Sequence, residues 1–340
     1  MDLVAFGGAG AGVALSVVGL MNGWLAPAAA LFLILVAVEF FLPLRSLGSA
    51  FHVAMNGASA GKKIISLLKA EEPVWGNEKV RGTELRLENV TFSYDGRRDV
   101  LKNVNMTFPE KGMSAIVGES GCGKSTVVNL LIGARRPKEG CVTVGGQNIE
   151  SVSRRSYYSQ LAVVSYNTYI FNDTVRANFE LAKESVTDAE IWNALGRVDL
   201  SSFVQENGGL DKVIAEDANN LSGGQKQRLA LAVNLVADKK VYVFDEATSN
   251  IDIESEAIIM KNVREMSREK SVVVISHRLA NVVPADNIYY MEEGEVKESG
   301  THAQLMGARG GYAKLYTAQK ALEEGYKDAA LSAVREEARA

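Results

Sequence analysis

From Leu3 to Leu20 the chain runs LVAFGGAGAGVALSVVGL without a charged residue. After a short break, MNGW, a second apolar run, LAPAAALFLILVAVEFFLPL, extends to Leu44. Each run is about 20 residues, the length an α-helix needs to cross the hydrocarbon core of a bilayer. Asn22-Gly23 between them is a turn signal. The pattern therefore predicts a transmembrane helical hairpin, with helices over about 3–20 and 24–44. A secretory leader is excluded, because no basic stretch precedes the first run and a second follows at once. Glu39 lies inside the second run, where a carboxylate faces protein or water. Arg45, Lys62 and Lys63 come after it, which places that end and Met1 on the cytoplasmic side. From Arg45 to Ala70 the helical texture continues, and Ala50, Ala54, Gly57, Ala58, Ala60 and Gly61 suit close helix packing. Residues 1–70 thus read as a partial membrane domain with a cytosolic helix extension. EEPVWGNEKVRG, 71–82, reads as a linker. Beyond it strand-like and helical runs alternate, as in an α/β domain. Residues 321–340 read as a charged helical tail.

Composition narrows the class without naming it. The chain has 340 residues, 47% hydrophobic and 23% charged, with 6 Pro, which excludes disorder and allows a sizeable core. A net charge of −4 offers nucleic acid no electrostatic footprint. Two cysteines, Cys122 and Cys141, exclude a disulfide-stapled secreted fold. His52, His277 and His302 are too far apart in sequence to suggest a zinc cluster.

The chemistry begins at Gly118. MSAIV is a strand-like run, and Gly118-Glu119-Ser120-Gly121-Cys122-Gly123-Lys124-Ser125 fits G-x-x-x-x-G-K-[ST], with Thr126 opening a helical stretch. Strand, glycine-rich loop and helix in that order are the context of a P-loop. Backbone N–H groups of such a loop close around phosphate oxygens, and the helix N-terminus adds its positive dipole end. Lys124 reaches the β- and γ-phosphates, and the Ser125 hydroxyl ligates Mg²⁺. Downstream, the apolar run Val241-Tyr-Val-Phe ends in Asp245-Glu246. A central parallel strand delivers a carboxylate to the nucleotide edge in this way. Asp245 is placed to hold Mg²⁺ and Glu246 to polarise the attacking water.

Between these motifs stands Leu221-Ser222-Gly223-Gly224-Gln225, followed by Lys-Gln-Arg. It resembles the signature sequence of ATP-binding-cassette (ABC) ATPases, and residues 83–320 fall into that family's pattern. The resemblance implies an α/β P-loop NTPase fold, an ABC-type nucleotide-binding domain with a helical subdomain, hydrolysing ATP with Mg²⁺. It further implies that Tyr94 stacks on adenine and that His277 touches the γ-phosphate. Ser222, Gly223, Gly224 and Gln225 would meet the nucleotide held by an opposite subunit, and Asp252, which matches the loop after the second acid, is a further nucleotide-binding residue. One position departs: Tyr166 stands where the family has a glutamine offering an oxygen to Mg²⁺. A neutral phenol is a poor substitute, and Asn167 is the neighbouring carbonyl source; Gln160 precedes the strand and does not replace it.

A cassette directly behind membrane helices resembles exporter half-transporters. Residues 39–68 are similar to the end of the last span in cysteine/glutathione exporters of the cytochrome bd assembly type. Such halves have six spans, so the chain reads as N-terminally truncated. The expected setting is a multi-pass protein of the inner (plasma) membrane with a cytoplasmic nucleotide-binding domain. Its expected partners are a second half-transporter, identical or different, the lipid membrane and a small-molecule substrate, thiol- or amino-acid-like; no nucleic acid is expected. The alternatives are a soluble-type ABC switch and a nucleotide-binding remnant that does not transport.

Overall fold

The computed structural model describes residues 2–69, 73–166, 169–249 and 251–322, without the side chains of residues 2–5, 38, 41, 42, 44 and 45. The chain divides into two compact units, Met1–Glu72 and Pro73–Ala340.

The first unit is a helical hairpin of α1 (Asp2–Met21) and α2 (Pro27–Leu68). Gly23 turns the chain with φ 74°, a left-handed conformation that costs glycine little. Small residues let the helices approach: a Cβ on Gly12 would stand 3.0 Å from that of Ala37. α2 runs unbroken through Pro43, so the second apolar run and its extension are one helix of 42 residues. The expected spans pass through positions 3–5, 38, 41, 42 and 44, whose side chains lie outside the described residues. Among the described residues no helix is long and apolar enough to cross a membrane. The membrane hairpin of the sequence reading is accordingly found here only as a hairpin of two packed helices.

The second unit holds two sheets and their helices. Its elements are β1 (Leu85–Ser93), β2 (Asp99–Phe108), β3 (Gly112–Gly118), α3 (Lys124–Leu131), β4 (Glu139–Val144), β5 (Gln147–Asn148), α4 (Arg154–Tyr158) and β6 (Leu161–Ser165). A helical stretch follows: α5 (Val175–Ala182), α6 (Asp188–Arg197), α7 (Ser201–Glu206) and α8 (Gly223–Val236). The chain then returns to the sheet in β7 (Val241–Asp245), α9 (Ile253–Ser267), β8 (Ser271–Ile275), β9 (Asn287–Glu292), β10 (Glu295–Gly300) and α10 (His302–Ala308). A last helix, α11, covers 311–322.

An antiparallel sheet has the order β2-β1-β4-β5, and a second has β10-β9-β3-β8-β7-β6. In the second, β9, β3, β8, β7 and β6 run parallel. Side chains alternate across each strand, and here both faces are buried, which is why these strands read as continuous apolar runs. Tyr242, Phe244, Val272 and Val274 join the core beneath α5, α6, α8 and α9. Val241, Val243, Val273 and Ile275 face α3 and the antiparallel sheet.

Within residues 73–82 two positions are held by the fold. Trp75 lies 5.7 Å from the Tyr157 ring, with the Arg136 guanidinium 4.7 Å over it. Glu78 pairs with Val152 as an isolated bridge. The expected tail falls, beyond residue 322, outside the described residues.

Candidate functional site

β3 ends at Gly118 and α3 begins at Lys124, so the intervening loop is a single tight passage from strand to helix. Glycine is required at both of its ends. A Cβ on Gly118 would meet Met291 O at 2.2 Å, and one on Gly123 would meet Leu101 Cδ2 at 2.6 Å, with φ 154° and 108°. Gly123 caps α3 without a side-chain hydrogen bond, so the first N–H groups of the helix are left for an anion. Glu119, Ser120, Gly121 and Ser125 are exposed along the loop, while Cys122 and Thr126 are buried. Lys124 is only 5% exposed. Its ammonium donates to Gly118 O (2.9 Å) and Glu119 O (2.8 Å), and Cys122 Sγ is 3.8 Å away. Tyr94 stands exposed at the rim, its ring edge-on to Phe92 at 4.8 Å. Its hydroxyl is 3.2 Å from Thr126 Oγ1.

The acids arrive by strand register. Ile116 of β3 pairs with Ile275 of β8, and Ile275 with Asp245 of β7. The residues that follow those strands therefore emerge at one edge of the sheet. Asp245 Oδ1 is buried and has no hydrogen-bond partner among the described residues. Burial, and then the neighbouring Glu246, push its carboxyl up from the ordinary aspartate range. Glu246 has φ 54°, a conformation uncommon outside glycine and often found at functional sites. Its N–H donates to Ile275 O at 3.0 Å. Glu246 Oε1 lies 2.6 Å from His277 Nε2, although the His277 side chain is 47% exposed. A desolvated carboxylate with one orphaned oxygen beside a second carboxylate favours a cation, so Asp245 with the Ser125 hydroxyl fits Mg²⁺, a hard ion that takes oxygen ligands.

Ser222, Gly223, Gly224, Gln225 and Asp252 form a second cluster. Ser222 caps α8 in a reciprocal box with Gln225, the hydroxyl accepting from Gln225 N at 3.2 Å and Ser222 N donating to Gln225 Oε1 at 2.9 Å. Gly224 packs so closely on the start of α9 that a Cβ would meet Asp252 Oδ2 at 2.5 Å. Asp252 caps α9 through Ser255 N at 2.7 Å, and that backbone bond holds its carboxyl below the usual range. Among the described residues no hydrogen bond joins this cluster to Lys124, Asp245 or Glu246. Ser222 and Gly223 face outward.

Tyr166 follows β6, beside the acids. Its N–H donates to Asp245 O at 3.3 Å, its carbonyl accepts from Gln227 Nε2 at 2.5 Å, and its side chain is exposed. Gln160 sits at the opposite end of β6, bonded to Lys240 N and Val241 N. Asn167 lies outside the described residues. Sequence reasoning missed the side chains that brace the loop after β8. Glu256, on α9, binds Arg278 Nη1 and accepts from Asn281 Nδ2 at 2.7 Å, and Gln319 reaches the same loop from α11. Only chain folding brings them there, and no local motif marks them.

A phosphate-binding loop on a parallel sheet, with a helical stretch between β6 and β7 whose last helix opens at the Ser222 turn, is the architecture of a P-loop nucleotide-binding domain. Residues 101–249 match the sequence profile of the ABC transporter family. The chain is 42% identical over 328 residues to an uncharacterized ABC transporter ATP-binding protein of Haemophilus influenzae, covering 95% of this chain and 59% of that one. It is 36% identical over 283 residues to the ATP-dependent lipid A-core flippase of Haemophilus ducreyi, covering 82% and 49%. With the mitochondrial iron-sulfur clusters transporter atm1 of Aspergillus fumigatus it shares 33% over 291 residues, covering 83% and 40%. Among solved structures, a bacterial Atm1-family ABC exporter with ATP bound superposes with a TM-score of 0.71 at 29% identity, covering 87% of this chain and 53% of that one. The chain thus spans between 40% and 59% of these relatives' lengths.

Proposed function

We propose that this chain is the ATP-binding and ATP-hydrolysing part of an ABC exporter, coupling hydrolysis to movement of a small molecule across a membrane. The observation that carries the reading is the contact between Glu246 and His277 at the sheet edge that also bears the P-loop. In this reading the loop from Gly118 to Thr126 holds the phosphates through its backbone N–H groups, and Lys124 exchanges its two loop carbonyls for phosphate oxygens. Tyr94 offers its exposed ring to the adenine. Ser125 and Asp245 would hold Mg²⁺, which when bound supplies Lewis-acid neutralisation of phosphate charge. Glu246 accepts a proton from the attacking water. His277, donating from Nε2, keeps that carboxylate oriented.

The outward-facing Ser222 turn supports pairing with a second cassette, where its helix N-terminus would meet the nucleotide bound by the other copy. The exposed apolar side chains of the first unit, among them Leu15, Leu31, Phe32 and Leu35, support a place for α1 and the first half of α2 in the membrane, with the nucleotide-binding domain on the cytoplasmic side. The thiol- or amino-acid-like class of substrate rests on the likeness of residues 39–68 alone. The test is nucleotide binding and assembly of the purified full chain. Lys124→Ala should lose ATP binding, and Glu246→Gln with ATP should accumulate as a dimer. A Glu246→Gln chain that binds ATP yet stays monomeric at micromolar concentration overturns the paired-cassette reading.

A further inference from the structure

α11 lies wholly outside the stretch that matches the ABC transporter profile. Tyr312 anchors it: the ring is fully buried and its hydroxyl is 2.7 Å from His302 Nδ1. Gln319 comes seven residues later, two helical turns along the same face. There its carboxamide takes hold of the loop after β8 at two points. Nε2 donates to His277 O at 2.8 Å, and Oε1 accepts from Leu279 N at 2.9 Å. The amide orientation is dictated by the partners, since a carbonyl only accepts and a backbone N–H only donates.

The backbone between these points is otherwise satisfied from within the loop. Arg278 N donates to Ser276 Oγ at 3.0 Å, and that hydroxyl donates to Arg278 O at 3.1 Å. His277 itself is not held by packing, because half of its side chain is in solvent. Its 2.6 Å approach to Glu246 therefore depends on where the backbone carries it. We propose that Gln319 is a positioning residue for ATP hydrolysis: by clamping the backbone on both sides of Arg278 it holds the His277 imidazole against Glu246. The proposal rests on the hydrolytic reading of those two residues. It makes the seating of α11 a determinant of turnover, although α11 touches no reacting atom.

The experiment compares the full chain with Gln319→Met, a side chain of similar length that makes neither bond. Hydrogen exchange, read by mass spectrometry over 276–282, should quicken about tenfold, as expected for two lost hydrogen bonds. Exchange over 112–131 should change less, and the melting temperature should fall by no more than about 5 °C. kcat for ATP should fall about tenfold while KM changes less than twofold. In a His277→Ala background, whose residual turnover is read at raised protein concentration, Gln319→Met should add less than a twofold loss. Unchanged exchange over 276–282 overturns the clamp whatever the turnover does. An equal tenfold loss in the His277→Ala background overturns the positioning role and leaves α11 an ordinary structural helix. If His277→Ala alone leaves turnover unaltered while exchange responds to Gln319→Met, the clamp stands and the hydrolytic role of His277 fails instead.

Discussion

Glu246 Oε1 and His277 Nε2 stand 2.6 Å apart, and neither side chain could reach the other from its own strand without the pairing of β7 with β8. Asp245 and Ile275 are partners in that pairing, so the next residues leave the sheet side by side. The left-handed turn at Glu246 then brings its carboxylate to the imidazole. An oriented carboxylate at the phosphate edge is what activation of water requires.

Glu246→Gln is expected to lower kcat by about 100- to 10,000-fold, the range for removing a general base, with little change in KM for ATP. The amide keeps the shape of the side chain, so the loss isolates the proton acceptor. Steady-state phosphate release checks it, and wild-type turnover in the variant would remove Glu246 from the mechanism.

Tyr166→Gln is expected to raise turnover several-fold at saturating Mg²⁺ with ATP affinity little changed. The backbone of residue 166 is tied to Asp245 and to Gln227, so the exchange alters an exposed side chain without releasing the loop. The carboxamide restores an oxygen ligand of the kind Mg²⁺ prefers. Rising kcat at constant KM would mark a contact made in the transition state; equal or lower turnover refutes the idea.

Asp245→Asn should melt at a higher temperature than the unmodified chain when nucleotide and Mg²⁺ are absent, yet lose Mg²⁺-dependent hydrolysis. Asp245 carries a buried oxygen with no hydrogen-bond partner among the described residues, beside another carboxylate, and a desolvated unpaired charge destabilises the folded state. Calorimetry with and without Mg²⁺-ATP separates the two effects. A lower melting temperature for the nucleotide-free variant would show that the carboxylate is already compensated.

Acid should expose the cap of α6. Glu190 accepts from Lys183 Nζ and from both Thr187 N and its hydroxyl, and these bonds hold its carboxyl down at about 2. A carboxyl depressed on folding stabilises above its unfolded value and loses that contribution as pH falls toward the folded one. Glu190→Gln keeps the capping geometry but not the charge. It should melt below the unmodified chain at neutral pH, and the gap should close between about pH 5 and pH 2. A gap independent of pH would assign the effect to packing.

Local patterns carried much of this architecture. The apolar run MSAIV and the glycines after it demanded a strand, a tight loop and a helix, and β3 and α3 meet there as read. Two apolar runs separated by Asn22-Gly23 read as a membrane hairpin, and of that reading α1 and α2 carry the helices and the turn, while the membrane crossing stays a proposal. Such patterns are legible because backbone propensity and side-chain period act over a few residues. The strand order β3-β8-β7 is of another kind. It depends on which apolar faces bury one another, and it brings the residues after β7 and β8, Glu246 and His277 among them, to one edge of the sheet. Trp75 illustrates the difference: its segment had the composition of a linker, but the fold put Tyr157 and Arg136 where the ring could be covered. Gln319 does so most clearly, since its bond to His277 spans 42 positions and its residue type carries no signal of its own. What sequence determined were the elements and the motif chemistry, because these are local; what tertiary structure decided were the meetings between them, because burial is satisfied only by the chain as a whole.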